Sequence, residues 1–131
     1  RSTTARGNYS TAMTLNTVAS GNYSFAAGES TSAPSAYEIV FGRLNETYTP
    51  VSATTWEDND RLFVIGNGTS STARSNAMTI LKSGKVGFGT SQPTMDISID
   101  GSSERSFGLE RQTTNTTGAS LTVLSGGAYS G

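Results

Sequence analysis

Four consecutive residues, Glu57, Asp58, Asn59 and Asp60, are the part of this sequence best equipped for ion chemistry. They supply several oxygen donors within four positions, and calcium prefers such ligands. Their spacing, however, differs from that of the known calcium-binding loops. The sequence therefore favours a solvated turn ahead of the next strand, and we predict no metal site.

Carboxylate pairs are the arrangement that would suit hydrolysis of glycosidic bonds. Asp58 with Asp60 and Glu104 with Glu110 are the pairs to consider. The residues around them indicate neither a cleft nor a raised pKa. The chain also has no Cys and no His, which excludes thiol nucleophiles, Cys/His zinc sites and the commonest general base. We predict that the chain is not an enzyme and uses no cofactor.

The one tryptophan, Trp56, lies eight residues after Tyr48. An aromatic pair of this kind could form a stacking platform for a sugar ring. The competing interpretation, a core or interface anchor, is favoured by the large area that a tryptophan buries. If a glycan binds, the candidate ligand-binding residues are Tyr48, Trp56, Glu57, Asp58 and Asp60.

An internal repeat predicts the framework that positions these residues. Residues 5–14 and 19–28 share Gly-Asn-Tyr-Ser at an offset of 14 positions, and residues 33–42 form a degenerate third copy. The aromatic residues in register are Tyr9, Tyr23 and Tyr37, which we expect to form a ladder.

Side chains alternate in bulk within each copy. Tyr23 and Phe25 fall on one face of a predicted strand, while Ser24 and Ala26 fall on the other. Such alternation over about six residues, followed by glycine or polar residues, is typical of a strand and a turn. Fourteen residues hold two short strands and two turns, which is one coil of a β-solenoid.

The composition agrees with an all-β chain that needs neighbours. Ser and Thr together occupy 40 of the 131 positions, and hydrophobic residues make up only 34%. The few apolar side chains of one coil cannot offset the entropy lost when its 14 residues become ordered. We therefore expect the coils to stack on one another and to associate with other chains.

The periodicity ends after residue 42. A buried strand is predicted at 62–65, a hairpin at 77–81 and 86–88, and further short strands at 96–99 and 121–124. The predicted units are residues 1–42 (roll), 43–94 (intertwined β module with the hairpin) and 95–131 (start of a shaft). The residues predicted to form the core or the contacts between chains are Tyr9, Tyr23, Phe25, Tyr37, Ile39, Phe41, Leu62, Val64, Ile80, Val86 and Phe88.

The run ASGNYSFAAGES, with its 14-residue period, resembles the head repeats of trimeric autotransporter adhesins. The resemblance covers about the first 42 residues and implies a left-handed parallel β-roll of three chains around one axis. Thr14 departs from it where the motif has glycine, and so do Glu38 and Val40 where the motif has Ser and Ala. Residues 60–94 resemble a module of phage tail fibres and bacterial fibre proteins, with Phe88 in place of the usual isoleucine.

The resemblance implies a homotrimeric surface fibre that presents repeated surfaces to a cell-surface receptor, expected to be a glycan. The fibre would be extracellular, on a cell surface or a virion. Because the chain begins at Arg1, we expect a fragment whose export signal lies elsewhere. A spacer without a ligand and a polysaccharide-degrading tailspike are the alternatives. An ice-binding solenoid is disfavoured, since no regular Thr-x-Thr ladder is present.

Charge and hydropathy limit the other partners. The net charge is −1, and Lys and Arg are scattered singly. The sequence therefore predicts no basic patch that could bind the phosphate backbone of a nucleic acid. No apolar run approaches the roughly 20 residues that span a bilayer. The partners predicted are other copies of the same chain and a glycan or cell-surface polymer, with no nucleic acid and no membrane contact by this segment.

Overall fold

The computed structural model describes residues 2–100, which form an all-β structure of two sheets. In this part of the chain no helix is long and apolar enough to cross a membrane. The predicted strand at 121–124 and the pair Glu104 and Glu110 lie outside the described residues. The strands are β1 (Thr4–Ala5), β2 (Thr11–Leu15), β3 (Val18–Ala19), β4 (Phe25–Glu29), β5 (Ser32–Ala33), β6 (Ile39–Arg43), β7 (Arg61–Asn67), β8 (Asn76–Leu81), β9 (Val86–Phe88) and β10 (Ile97–Ile99).

Each of the first three coils contains one short and one long strand and stacks on the next coil in register. The short strands β1, β3 and β5 form one parallel sheet, and the long strands β2, β4 and β6 lie side by side in the other. Pairing follows the 14-residue offset, since Thr11 pairs with Phe25 and Phe25 with Ile39. The prediction of stacked, parallel solenoid coils is confirmed.

The larger sheet continues beyond the coils without a break at residues 42 and 43. β7 pairs in parallel with β6, placing Phe63 opposite Ile39. β8 and β9 follow as antiparallel strands, as the predicted hairpin requires, and β10 pairs in parallel with β9. The seven strands lie in the order β10-β9-β8-β7-β6-β4-β2.

Small side chains fill the space between the two sheets. Ala19, Ala26, Ala33, Val40 and Val64 are fully buried and form the hydrophobic cluster of this interior. Since these side chains have few carbon atoms, the sheets lie close together and leave little room for an aromatic ring. Among the eleven residues predicted for the core or for contacts between chains, Val64 alone is fully buried within the single chain.

The three repeat tyrosines do not lie on strands, so the prediction that Tyr23 shares a strand face with Phe25 is wrong. Tyr9, Tyr23 and Tyr37 have φ of 56°, 58° and 61°, which is the left-handed region. The N–H of Tyr23 donates to the Asn8 carbonyl of the preceding coil at 2.8 Å. This turn delays the start of the strand to Phe25, and the predicted alternation applies only from there.

An asparagine side chain ends the stack of short strands. In the coils, the N–H of Val18 donates to the Thr31 carbonyl 13 residues later, at 2.9 Å. The N–H of Ser32 donates instead to Oδ1 of Asn45 at 2.8 Å, and Nδ2 of Asn45 donates back to the Ser32 carbonyl at 3.0 Å. The amide of Asn45 thus replaces the backbone of a fourth coil and satisfies the exposed edge.

One position of the long strand requires glycine for two reasons. Gly28 has φ of 124° and Gly42 has φ of 101°, and a Cβ on Gly28 would collide with the Gly42 carbonyl oxygen. The first coil has Thr14 at this position, with φ of 76°. A β-branched residue is strained there, because the left-handed region brings Cβ close to backbone oxygens.

We predict that Thr14→Gly stabilises the protein. Relief of the left-handed strain, about 1–2 kcal/mol, exceeds the added entropy cost of glycine, about 0.5–1 kcal/mol. The hydrogen bond that Thr14 Oγ1 accepts from the Gly28 N–H at 2.9 Å is exposed, so water can replace it. The free energy of unfolding in urea, measured at one fixed protein concentration, should rise by about 0.5–1 kcal/mol. Thr11→Gly, at an ordinary β position of the same strand, is the control and should lower it. Equal losses for the two variants would contradict this account of position 14.

Candidate functional site

The predicted ligand-binding residues all belong to the loop of residues 46–60, which folds over the last two coils at the end of the roll. The Ser52 carbonyl accepts a hydrogen bond from the Ala36 N–H at 3.3 Å, and the Ala53 carbonyl accepts one from the Asn22 N–H at 2.8 Å. Through these bonds the loop covers the turns of the second and third coils. It therefore brings its own side chains next to those of the repeat.

The tyrosines form the predicted ladder, and Trp56 extends it. The rings of Tyr9 and Tyr23 stack with centroids 5.3 Å apart, and those of Tyr23 and Tyr37 with centroids 4.9 Å apart. The Trp56 ring lies 6.0 Å from Tyr37, tilted by 54°. Trp56 is half exposed, its Nε1 donates to Asp58 at 3.2 Å, and the Lys82 amino group lies 5.7 Å from its ring centre. Trp56 thus covers the end of the ladder while its remaining surface meets solvent.

The three carboxylates of residues 57–60 accept hydrogen bonds from different partners. Glu57 accepts a hydrogen bond from Thr55 Oγ1 at 3.2 Å, and Asp58 accepts the one from Trp56. Asp60 is buried, and its two oxygens accept the N–H groups of Val51 and Ser52 at 2.7 and 3.0 Å. Within residues 2–100 no group of three or more acidic, Cys or His residues could hold a metal ion.

A buried carboxylate, Glu38, lies beneath this loop. Its Oε2 accepts hydrogen bonds from the N–H of Ser35 at 3.0 Å, from Ser35 Oγ at 3.1 Å and from the Tyr48 hydroxyl at 3.3 Å. Its Oε1 is buried and has no hydrogen-bond partner. In the second copy the equivalent residue is Ser24, whose Oγ donates to the Gly21 carbonyl at 2.6 Å. The third copy therefore replaces an inward donor with an inward acceptor.

Two cations lie close to this carboxylate. The Arg61 guanidinium lies over the Tyr48 ring at 4.0 Å and donates to the Glu46 carbonyl at 2.6 Å. The Lys82 amino group donates to Ser35 Oγ at 3.2 Å. Neither comes within salt-bridge distance of Glu38, since the one ion pair within residues 2–100 joins Arg43 to Glu29. We call Ser35, Glu38, Tyr48, Arg61 and Lys82 the Glu38 network.

Burial dominates the ionisation of this network. It raises the pKa of Glu38 to about 7, although hydrogen bonds from Ser35, the charge of Arg61 and the Tyr48 hydroxyl act in the opposite direction. Burial also raises the pKa of Tyr48 and lowers the pKa values of Arg61 and Lys82. Each group is thus pushed towards its neutral form.

The sequence drew attention to only part of this arrangement. Glu38 stood out as a departure from the repeat, but Ser35, Arg61 and Lys82 were not candidates. The available signal was a charged residue at an inward position of a solenoid coil, which must find buried partners. Those partners come from a loop and a hairpin turn whose positions the repeat does not determine.

The predicted ligand-binding residues separate into two groups. Trp56, Glu57 and Asp58 lie on the outer part of the loop, beside the aromatic ladder. Tyr48 and Asp60 border a groove of about 440 Å³ on the side of the hairpin turn.

Ser35 and Lys82 pair a hydroxyl with an amine, but Ser35 is fully buried, and a substrate would not reach it. The accessible parts of the site are therefore the outer part of the loop and the groove. No protein-family model matches the chain, and comparisons with curated proteins and with solved structures also find no match.

The raised pKa of Glu38 predicts how stability varies with pH. Because folding raises this pKa from 4.5 to about 7, the folded state binds more protons than the unfolded state between these values. The Glu38 contribution to stability is thus full below pH 4.5 and is lost as the pH rises through 7, by about 3 kcal/mol. Urea unfolding at several pH values should show that Glu38→Gln removes this fall.

The matched control is Glu29→Gln, which removes an exposed carboxylate from its ion pair with Arg43. This variant should retain the fall in stability between pH 4.5 and 7. If stability varies with pH in the same way for wild type and Glu38→Gln, the buried carboxylate does not titrate in this range.

Proposed function

We propose that the chain is a segment of an extracellular homotrimeric surface fibre, in which three copies share one interior and present repeated binding surfaces. The observation that supports the proposal is the outer face of the seven-stranded sheet. Large apolar side chains follow one another there from strand to strand, and in the single chain they remain partly exposed. The proposal also agrees with the family resemblance of the repeats.

Two rows of residues form this apolar face. The strand pairings place Phe63 between Ile39 and Ile80, and Ile65 between Phe41 and Met78. Ile39, Phe41, Ile65 and Phe88 are 37–43% exposed, and Ile97 is 67% exposed. The complete apolar face consists of Phe25, Ile39, Phe41, Phe63, Ile65, Met78, Ile80, Val86, Phe88, Ile97 and Ile99.

The continuity and length of the apolar face favour a partner that covers it. It crosses six strands, which at about 4.8 Å between neighbouring strands gives a length of roughly 24 Å. Soluble monomers seldom expose continuous apolar areas above a few hundred Å². The opposite side of the same strands carries the small residues Ala26, Val40 and Val64. The bulk that would normally form a core is therefore outside, where other chains can cover it.

A second copy and a third copy are the partners that fit this face. Its rows are continuous along the direction in which the coils stack, so parallel chains around one axis would cover its whole length. No charged residue interrupts the rows, and the cyclic symmetry of a homotrimer closes without leaving a free face.

The proposed role on the fibre surface is adhesion through weak sites repeated three times. Linked copies of a weak site gain avidity through effective concentration, without any new contact. A shaft segment without a ligand is the second candidate, and the regular stacking of coils and tyrosines favours it. Both candidates require the same trimer, and they differ in whether the surface around the loop binds a glycan.

We predict a solution mass of three chains, or about three times 13.6 kDa, by light scattering at micromolar concentration. Phe41→Asp should reduce this mass to that of one chain, because it puts an unpaired carboxylate into the shared interior. Thr47→Asp, in the exposed loop, is the control and should leave the mass unchanged. A wild-type mass of one chain, or a Phe41→Asp variant that remains trimeric, would contradict the proposal.

A further inference from the structure

We propose that the groove beside the Glu38 network binds an acidic glycan. In this complex the Lys85 amino group forms an ion pair with the carboxylate of the glycan. This inference rests on the proposed adhesive function and names its site and ligand class. The groove lies between residues 48–51, 59–61, 81–85 and 91–94 and encloses about 440 Å³. That volume is within the range of about 300–1,000 Å³ found for small-molecule sites.

The groove combines apolar surface with unused amide groups. Val51, Leu81 and Pro93 supply apolar surface, which suits the C–H face of a sugar ring. Asn59 and Gln92 also line the groove, and neither side-chain amide makes a hydrogen bond within residues 2–100. Each amide offers both donors and acceptors, which is what the hydroxyl groups of a saccharide require.

The charges of the lining favour an anion. Arg61 and Lys85 are cationic, and Asp60 is the one carboxylate among the residues of the groove. Both oxygens of Asp60 are already occupied by the N–H groups of Val51 and Ser52. The Lys85 amino group has no hydrogen bond or ion pair within residues 2–100. A carboxylate on the ligand would give this amino group its partner, so we assign a saccharide that contains a uronic acid.

The Glu38 network holds one wall of the groove in place. The Tyr48 hydroxyl donates to Glu38 at 3.3 Å and accepts the N–H of Arg61 at 3.1 Å. The Arg61 guanidinium lies on the Tyr48 ring at 4.0 Å. These three contacts hold the tyrosine at its hydroxyl group and across its ring face, so a ligand meets a wall that is already ordered. The buried carboxylate thus acts as a positioning residue for the groove.

The groove opens on the side of the sheet away from the apolar face. Gly87 pairs with the buried Thr79 on the inner side of β8 and β9. A Cβ on Gly87 would lie 2.6 Å from Thr90 and 3.2 Å from Pro93, which places the segment that borders the groove on this inner side. Chains that cover the apolar face would therefore leave the groove accessible.

The test is an NMR titration of the full chain with two matched probes. One is a tetrasaccharide of glucuronic acid and N-acetylglucosamine, and the other is its carboxyl-reduced form. The acidic probe should shift the side-chain amide signals of Asn59 and Gln92 and bind about tenfold more tightly than the reduced probe, as expected for one charge-assisted hydrogen bond. Lys85→Gln should make the two affinities equal.

Arg6→Gln removes an exposed cation from the first coil and is the charge-matched control, which should retain the tenfold preference. No shift with millimolar acidic probe, shifts centred on Trp56, or an unchanged preference in Lys85→Gln would each overturn the assignment. Light scattering on the same samples separates the two proposals. A trimer without binding contradicts the groove alone, whereas binding by a single chain contradicts the fibre alone.

Discussion

The closeness of the two sheets is the constraint on which the rest of the structure depends. The hydrophobic side chains that pack between the stacked coils are small, as Ala19, Ala26 and Ala33 show. Larger apolar residues of the same strands must therefore face outward, and they do so in continuous rows. A chain built in this way has its strongest hydrophobic surface on the outside. The proposed association between chains would bury this surface.

The third coil links the end of this stack to the candidate binding surface. Two positions of the repeat change in this coil: Ser35 replaces glycine and Glu38 replaces serine. The buried carboxylate of Glu38 then requires hydrogen-bond donors and nearby cations from other segments. Tyr48, Arg61 and Lys82 supply them from three later segments. The same contacts order a wall of the groove. A local departure from the repeat thus has two consequences: it secures the loop that covers the coils and shapes the surface beside it.

The sequence was most informative where structure repeats. An offset of 14 residues predicts the parallel register of β2, β4 and β6, because stacked coils must align identical positions. The hairpin of β8 and β9 follows from its own turn residues. The left-handed turn at Tyr23, the cap formed by Asn45 and the partners of Glu38 could not be predicted in this way. Each depends on a contact between a coil and a neighbouring segment, which local alternation does not encode.

Solvent access to the apolar face is the most direct test of the central claim. The chain has no native cysteine, so Ile65→Cys introduces a single thiol into that face. Its maleimide labelling should be at least about tenfold slower than that of Thr54→Cys in the exposed loop, because the reagent reaches the thiol introduced at position 65 only when the chains separate or unfold. The two rates should converge in denaturant. Equal rates in native buffer at micromolar concentration would show that the face is uncovered and would contradict the account.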